Sequence, residues 1–142
     1  MHMKTINLII ISMVFAGLCA TCQAQTEKSN NEETSVDKEI IEVYYFHNTR
    51  RCATCQAVEA VTKSTLEDNY PEQMKEGIIT FKSLNIEEDI NEPLAKKLHV
   101  SGQTLLFVKN GKKRDLTNDA FMYARTKPEK LQEKIIKTVD NL

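Results

Sequence analysis

The sequence carries almost no net charge and no apolar run long enough to span a membrane. Nineteen basic residues are balanced by twenty acidic residues, which leaves a formal net charge of -1. A surface without excess positive charge has no field that would hold nucleic acid or anionic lipid, so we expect no nucleic-acid partner. The apolar run from Leu8 to Leu18 is too short for a membrane-spanning helix. No internal repeat is visible in the chain.

The 142 residues that are present suit one domain of ordinary composition. Hydrophobic residues make up 41% of the chain, which is enough to build a core. The chain as a whole therefore does not read as a disordered protein, and we expect a monomer.

The N-terminus has the pattern of an export signal. Lys4 supplies the charged start, the apolar run follows, and Cys22-Gln23-Ala24 offers small residues at the spacing of a cleavage site. We expect residues 1–24 to be a signal peptide and the mature protein to be exported and periplasmic. An alternative makes Cys19 or Cys22 the lipid-bearing first residue of a bacterial lipoprotein, anchored to a membrane.

Two further segments follow the predicted signal. Residues 25–38 are polar and nearly free of apolar side chains, so they predict a disordered tether. Residues 39–142 form the predicted domain. Cleavage after Ala24 leaves Cys52 and Cys55 as the two cysteines of the mature chain.

Strands and helices alternate along the predicted domain. Apolar periodicity and turn signals predict strands at 40–46, 78–86, 104–108 and 112–116, a helix from about 56 to 70, a short helix at 93–98, one or two helical turns within 118–125, and a final helix that begins at a capping box, Thr126 to Glu129. Asn110-Gly111 is a strong signal for a hairpin between the last two strands. The order β-α-β-α-β-β-α predicts an α/β fold, a mixed four-stranded sheet flanked by helices.

The candidate site is Cys52-Ala53-Thr54-Cys55, where the first strand gives way to the first helix. The free amides and the positive dipole end of a helix start favour a thiolate there, and Arg50 and Arg51 add positive charge. We therefore interpret Cys52 as the attacking thiol and Cys55 as the resolving thiol. Ala53 and Thr54 should tune the potential of the pair. A lone CxxC also occurs in metal sites and structural disulfides, so its context has to decide.

Three stretches resemble the thioredoxin superfamily over roughly residues 40–142. They are Val43 to Phe46 running into the cysteine pair, Leu84 to Glu87, and Val100 to Gly111. The resemblance implies a thioredoxin-like fold and a thiol–disulfide oxidoreductase that acts on protein thiols and disulfides or on a membrane redox partner. The chain shows no flavin or nicotinamide site of its own, and we expect no cofactor.

A narrower resemblance is to small exported thioredoxin-like bacterial proteins labelled the ArsF family, some of them described as a nitrophenyl compound nitroreductase subunit. It is carried by Tyr45-Phe46-His47, by Thr49 to Cys55, by Leu116-Thr117 and by Phe121 to Arg125. That label implies an arsenic-resistance or nitroreductase context. It would also fit arsenite capture by the two thiols.

The sequence departs from the thioredoxin pattern at positions that border the cysteine pair. Arg51 stands where thioredoxins usually have Trp, and Tyr45 and Phe46 stand where many have a buried acid. Gln103 precedes Thr104 where the family normally has a cis-proline. We expect Gln103 and Thr104 to shape the site, with a Gln103 amide that could hydrogen-bond a sulfur or a docked peptide. His47, on the loop into the pair, should shape it too.

Three functions stay open from the sequence. The first is an enzyme in which Cys52 attacks a partner disulfide and Cys55 resolves the mixed disulfide. The second is a binding protein in which Cys52 and Cys55 capture a soft metal or metalloid such as arsenite, because thiolates favour soft ions. The third is a redox-inert adaptor in which the pair is a permanent disulfide. Apart from that second function, we expect no metal site.

Overall fold

The computed structural model describes residues 39–142, and every structural statement below applies to that range. The predicted signal peptide and the predicted tether lie outside the described residues. The elements are β1 Ile41–His47, α1 Ala53–Asn69, α2 Pro71–Lys75, β2 Ile79–Asn85, a 3-10 turn at Asp89–Asn91, α3 Glu92–Leu98, β3 Thr104–Lys109, β4 Lys112–Asp115, α4 Thr117–Tyr123 and α5 Pro128–Asp140.

The four strands form one mixed sheet in the order β2-β1-β3-β4. β1 and β2 are parallel because α1 and α2 carry the chain back across the sheet, whereas β3 is antiparallel to β1 and β4 is antiparallel to β3. Asn110 and Gly111 have φ values of 50° and 78°, the positive values that a tight two-residue hairpin needs. This order and connectivity are those of a thioredoxin-like fold, and the predicted fold class is confirmed.

β1 lies at the centre of the sheet and is covered on both faces. Val43 and Tyr45 pack into one apolar cluster with α1, α4 and α5, and Tyr44 and Phe46 pack into a second cluster with α3. Because successive side chains of a strand point to opposite faces, a strand buried on both sides must be apolar throughout. The strand ends at His47, so its last residues deliver the chain to the cysteine pair.

α1 is bounded as the sequence predicts at its C-terminal end, since it stops at Asn69 before Pro71. Pro71 then begins α2, a five-residue helix that the sequence did not predict. Pro tolerates the first helical turn because its missing N–H has no partner there in any case. α4 covers most of the stretch 118–125, where the sequence predicts one or two helical turns, and begins one residue before it, at Thr117.

The predicted capping box of the last helix is wrong. Lys127 is the N-cap of α5, and no side chain makes a capping hydrogen bond there. The Thr126 hydroxyl instead donates to the Met122 carbonyl, 2.9 Å away and behind it in the chain. Pro128 is the first helical residue and has no backbone N–H, so a cap has one donor fewer to satisfy. Leu131, Ile135 and Val139 still form the predicted buried stripe.

Within residues 39–142, no helix combines the length and the apolar character that a membrane crossing requires.

Candidate active site

Cys52 caps the N-terminus of α1. Its backbone is extended, with φ -79° and ψ 167°, and its sulfur accepts a hydrogen bond from the Cys55 N–H at 3.3 Å. Helix N-caps usually carry an oxygen side chain that accepts from an amide in the first turn. A thiolate can take the same place. The spacing of the pair is therefore the spacing between an N-cap and the third helical residue.

The two sulfur atoms are 2.8 Å apart, and both cysteines are free thiols. A disulfide bond is about 2.05 Å long, so the sulfurs need to approach by only about 0.8 Å to close it. Cys52 is exposed, whereas Cys55 is 2% exposed. A partner disulfide can therefore reach Cys52 but not Cys55.

Hydrogen bonds separate the acidities of the two thiols. The Cys55 thiol first, and the Cys55 backbone N–H second, lower the pKa of Cys52 because both donate to its sulfur. Burial raises the pKa of Cys55, and the hydrogen bond to Cys52 raises it further. The pair therefore ionises first at Cys52 and keeps its shared proton on Cys55, as the assignment of attacking and resolving thiols requires.

Ala53 and Thr54 complete the first turn of α1 between the two sulfurs. Ala53 is exposed and Thr54 is half-buried. The backbone N–H of Thr54 also helps to lower the pKa of Cys52. Their effect on the potential of the pair stays a prediction.

The two arginines before the pair differ in their surroundings. Arg51 forms an ion pair with Glu59 on α1, and its guanidinium carbon lies 5.8 Å from the centroid of the Tyr45 ring. Arg50 is exposed. The largest causes of the lowered Cys52 pKa are hydrogen bonds, so the expected contribution of arginine charge stays a prediction.

Gln103 contacts the pair from the loop before β3. Its Oε1 accepts a hydrogen bond from the Cys55 sulfur at 3.4 Å. Thr104 begins β3 and donates from Oγ1 to the Gly102 carbonyl at 3.1 Å, which folds the loop back on itself. The structure thus brings Gln103 into contact with Cys55. Thr104 is the next residue along the chain and bonds to its own loop.

The loop that carries Cys52 is fastened to the end of β2. The Thr49 N–H donates to Glu87 at 3.2 Å, and Asn85 Nδ2 donates to Thr49 Oγ1 at 2.9 Å. Hydrogen bonding from Thr49 lowers the pKa of Glu87, since it favours the charged carboxylate. His47 turns its Nδ1 to the Asn48 carbonyl, 2.9 Å away, rather than to a sulfur. The sequence assigned no role to Asn85 or Glu87, although both lie in a stretch that carries the resemblance.

Tyr45 lies at a position that the resemblance places beside the pair, although the sequence assigned it no role there. Its side chain is fully buried, and its hydroxyl has no hydrogen-bond partner in the described part of the chain. Burial raises its pKa, followed by the negative charge of Cys55, and a weaker side-chain interaction with Cys55 raises it further. The hydroxyl therefore lies close to the Cys55 sulfur, although the geometry between them is not that of a hydrogen bond. No group of three His, Cys, Asp or Glu side chains within residues 39–142 could hold a metal ion.

Comparisons with known proteins match this chain over about half its length. No known family model matches it, and no curated protein matches it. Thioredoxin O2 from Arabidopsis thaliana, solved in its oxidized state, is 29% identical over 55% of this chain and 62% of its own, with a TM-score of 0.42. A malarial protein is 21% identical over 54% of this chain and 80% of its own, with a TM-score of 0.38. The matched region thus spans about three fifths of that thioredoxin.

Proposed function

We propose that this protein is a thiol–disulfide oxidoreductase. The observation that carries the proposal is the division of labour in the pair: an exposed, readily ionised Cys52 lies 2.8 Å from a buried, protonated Cys55. An accessible thiolate beside a second thiol is the arrangement that disulfide exchange needs, because attack and resolution then use different sulfurs.

The reaction follows from that geometry. The Cys52 thiolate attacks one sulfur of a partner disulfide, and the other partner sulfur leaves as a thiolate. Cys55 then loses its proton and attacks the Cys52 sulfur, which releases the second partner sulfur; the two leaving thiolates take up protons. The partner disulfide is reduced to two thiols while Cys52 and Cys55 are oxidised to one disulfide. The reverse sequence oxidises a partner dithiol.

Turnover with a peptide disulfide and excess dithiothreitol tests the proposal. The parent should accelerate reduction of the peptide, Cys52→Ser should be inactive, and Cys55→Ser should accumulate a mixed disulfide with the peptide that mass spectrometry detects. Cys52→Ser is also the matched control, since it keeps Cys55 and the fold. A parent protein no faster than Cys52→Ser would refute the proposal.

We further propose that this exchange takes place outside the cytosol, where a dithiol needs a redox partner to set its state. The support is the charged start, apolar run and small residues of the first 24 positions. Intact-mass measurement of the protein from its native host tests this. Loss of residues 1–24 agrees with export of an unanchored protein. A lipid adduct on Cys19 or Cys22 would show instead that the exported protein is anchored to a membrane.

A second candidate function is capture of arsenite by the reduced pair, as the resemblance to the ArsF family implies. The observation that favours it is Gln103, whose flexible amide contacts Cys55 where thioredoxins place a proline ring. A flexible amide can move aside where a proline ring cannot, which would let a soft ion reach the buried Cys55 sulfur as well as the exposed Cys52 sulfur. Gln103→Pro should then weaken arsenite binding in calorimetry and leave the disulfide able to form. Equal affinity in parent and variant contradicts this role for Gln103.

A further inference from the structure

The Tyr45 hydroxyl is a buried polar group without a partner, directly beside the candidate site. Hydroxyls this deeply buried are nearly always hydrogen-bonded. Two other tyrosine hydroxyls do have partners: Tyr44, the preceding residue of β1, donates to Glu42 at 2.6 Å, and the half-buried Tyr70 donates to Asp140 at 2.8 Å. The charged neighbours that act on the Tyr45 hydroxyl are Cys55, Arg51 and Cys52. Tyr45 also packs in one cluster with Val58, which lies one turn after Cys55 on the buried face of α1, so the hydroxyl is on the side of the sheet that carries the pair.

The hydroxyl keeps its proton through the pH range in which the thiols ionise. Burial raises the pKa of Tyr45 above that of an ordinary tyrosine, and the charge of Cys55 raises it further. A neutral phenol remains a hydrogen-bond donor. It cannot act as a tyrosinate base at neutral pH, so the role available to it is donation.

Cys55 needs such a donor at one step of disulfide exchange. As a thiol it has one proton, and two acceptors lie in reach, the Cys52 sulfur at 2.8 Å and Gln103 Oε1 at 3.4 Å. When Cys55 ionises to resolve the mixed disulfide, it becomes an acceptor, and the Gln103 carbonyl oxygen no longer complements it. Burial raises the pKa of Cys55 and outweighs the backbone N–H groups of Cys52 and Cys55, which favour this thiolate. A buried anion that is short of donors is costly, which holds back the resolving step.

We propose that the Tyr45 hydroxyl donates a hydrogen bond to the Cys55 thiolate and so promotes the resolving step. This inference rests on the proposed disulfide exchange. The Cys55 proton passes to solvent, the leaving partner thiolate takes one up, and Tyr45 keeps its own proton throughout. The Cys55 thiolate forms the new bond to Cys52, and the bond from Cys52 to the partner breaks.

The other polar side chains that contact Tyr45 do not replace this donor. Arg51 has a buried Nε without a partner, but its guanidinium is paired with Glu59 and lies over the face of the Tyr45 ring. The His47 ring is 5.9 Å from the Tyr45 ring and turns its Nδ1 to a backbone carbonyl. A variant that removes the Tyr45 hydroxyl but keeps the ring therefore preserves the contact between the ring and the Arg51 guanidinium.

A two-step reaction with 5,5′-dithiobis(2-nitrobenzoate) separates attack from resolution. Each step releases one coloured thiolate, the first when Cys52 attacks and the second when Cys55 displaces the aryl thiol from Cys52. Tyr45→Phe should leave the first step within about threefold of the parent and slow the second about tenfold or more, because hydrogen bonds to charged groups are the stronger class. The pH midpoint of the second step should move upward in the variant.

Tyr44→Phe is the matched control, because it removes a hydroxyl from the adjacent residue of β1 that points to the opposite face and bonds Glu42. Both of its steps should match the parent. A second step in Tyr45→Phe within twofold of the parent, or an equal slowing in Tyr44→Phe, would overturn the proposal. Tyr45→Met provides another variant without the hydroxyl if the first does not fold. Failure of the proposed function would look different, since the parent itself would then release no second thiolate.

Discussion

Two adjacent tyrosines of β1 should respond with opposite sign to the loss of a hydroxyl. The Tyr45 hydroxyl is buried without a partner, so the native state carries its desolvation cost. The Tyr44 hydroxyl is bonded to the Glu42 carboxylate at 2.6 Å. Tyr45→Phe should therefore raise the free energy of unfolding of the reduced protein, and Tyr44→Phe should lower it.

The magnitudes follow from what each hydroxyl loses or keeps. A buried unsatisfied polar group costs about 1–3 kcal/mol, and Tyr45→Phe should recover about 1 kcal/mol of it, since the phenol also leaves water in the native core. A hydrogen bond to a charged group is worth about 1.5–3 kcal/mol, which the partial exposure of Glu42 reduces to about 1 kcal/mol. The two variants should then differ by about 2 kcal/mol, or roughly 10 °C in Tm for a domain of this size.

Urea and thermal unfolding of both variants with excess reductant measures this difference. The reduced state matters because the missing partner is a property of the dithiol form. If Tyr45→Phe were destabilised as much as Tyr44→Phe, the Tyr45 hydroxyl would have a partner in the reduced protein. That result would remove the premise on which its role as a free donor to Cys55 depends.

Three further predictions follow from the site and its supports. Cys55→Ala should raise the pKa of Cys52 towards that of an ordinary thiol, whereas Cys55→Ser keeps a hydrogen-bond donor and should hold the pKa of Cys52 lower. The rate of Cys52 alkylation against pH measures both pKa values. Identical midpoints in the two variants would contradict the hydrogen-bond origin of the shift. Asn85→Ala should lower the free energy of unfolding, measured in urea, by about 1 kcal/mol, because it removes the hydrogen bond that holds the Thr49 loop. It should also alter the rate of Cys52 alkylation. The control Asn141→Ala loses a hydrogen bond to Lys137 at the end of α5 and should leave that rate unchanged. Three tyrosines have a raised pKa in the folded protein: Tyr44, Tyr45 and Tyr70. The free energy of unfolding should therefore fall as pH rises above about 10, because the unfolded chain then releases protons that the folded state retains. A urea midpoint that stays constant to about pH 11 would contradict this.

The parts of the fold that local signals specify could be predicted from the sequence. The apolar run of β1, the Asn110-Gly111 turn and the stripe of α5 each follow from a pattern within a few residues. α2 could not be predicted because a helix of five residues, Pro71–Lys75, is too short to show an apolar periodicity. The capping box failed because α5 begins one residue later than the pattern requires, with Lys127 as its N-cap, and the Thr126 hydroxyl donates back to the Met122 carbonyl.

The candidate site divides in the same way. The positions of Cys52 and Cys55 at the start of α1 could be predicted because a helix start and the CxxC spacing are local, and their roles stay a proposal. The resemblance placed Tyr45 beside the pair, but its unpartnered hydroxyl could not be predicted, since that depends on how α1 packs against β1. The tether from Asn85 to Thr49 joins residues 36 positions apart and depends on the parallel pairing of β1 with β2. Contacts set by packing leave no periodic trace in the sequence.

The reduction potential of the Cys52–Cys55 pair tests the central claim most directly. The purified protein is equilibrated in glutathione buffers of graded ratio, its thiols are trapped with a mass label, and the oxidised fraction is read by mass spectrometry. We predict a single reversible two-electron transition between about -270 and -120 mV, the range of thiol–disulfide oxidoreductases, that is absent in Cys52→Ser. A disulfide that remains closed until below about -300 mV would mark a structural bridge and contradict the account.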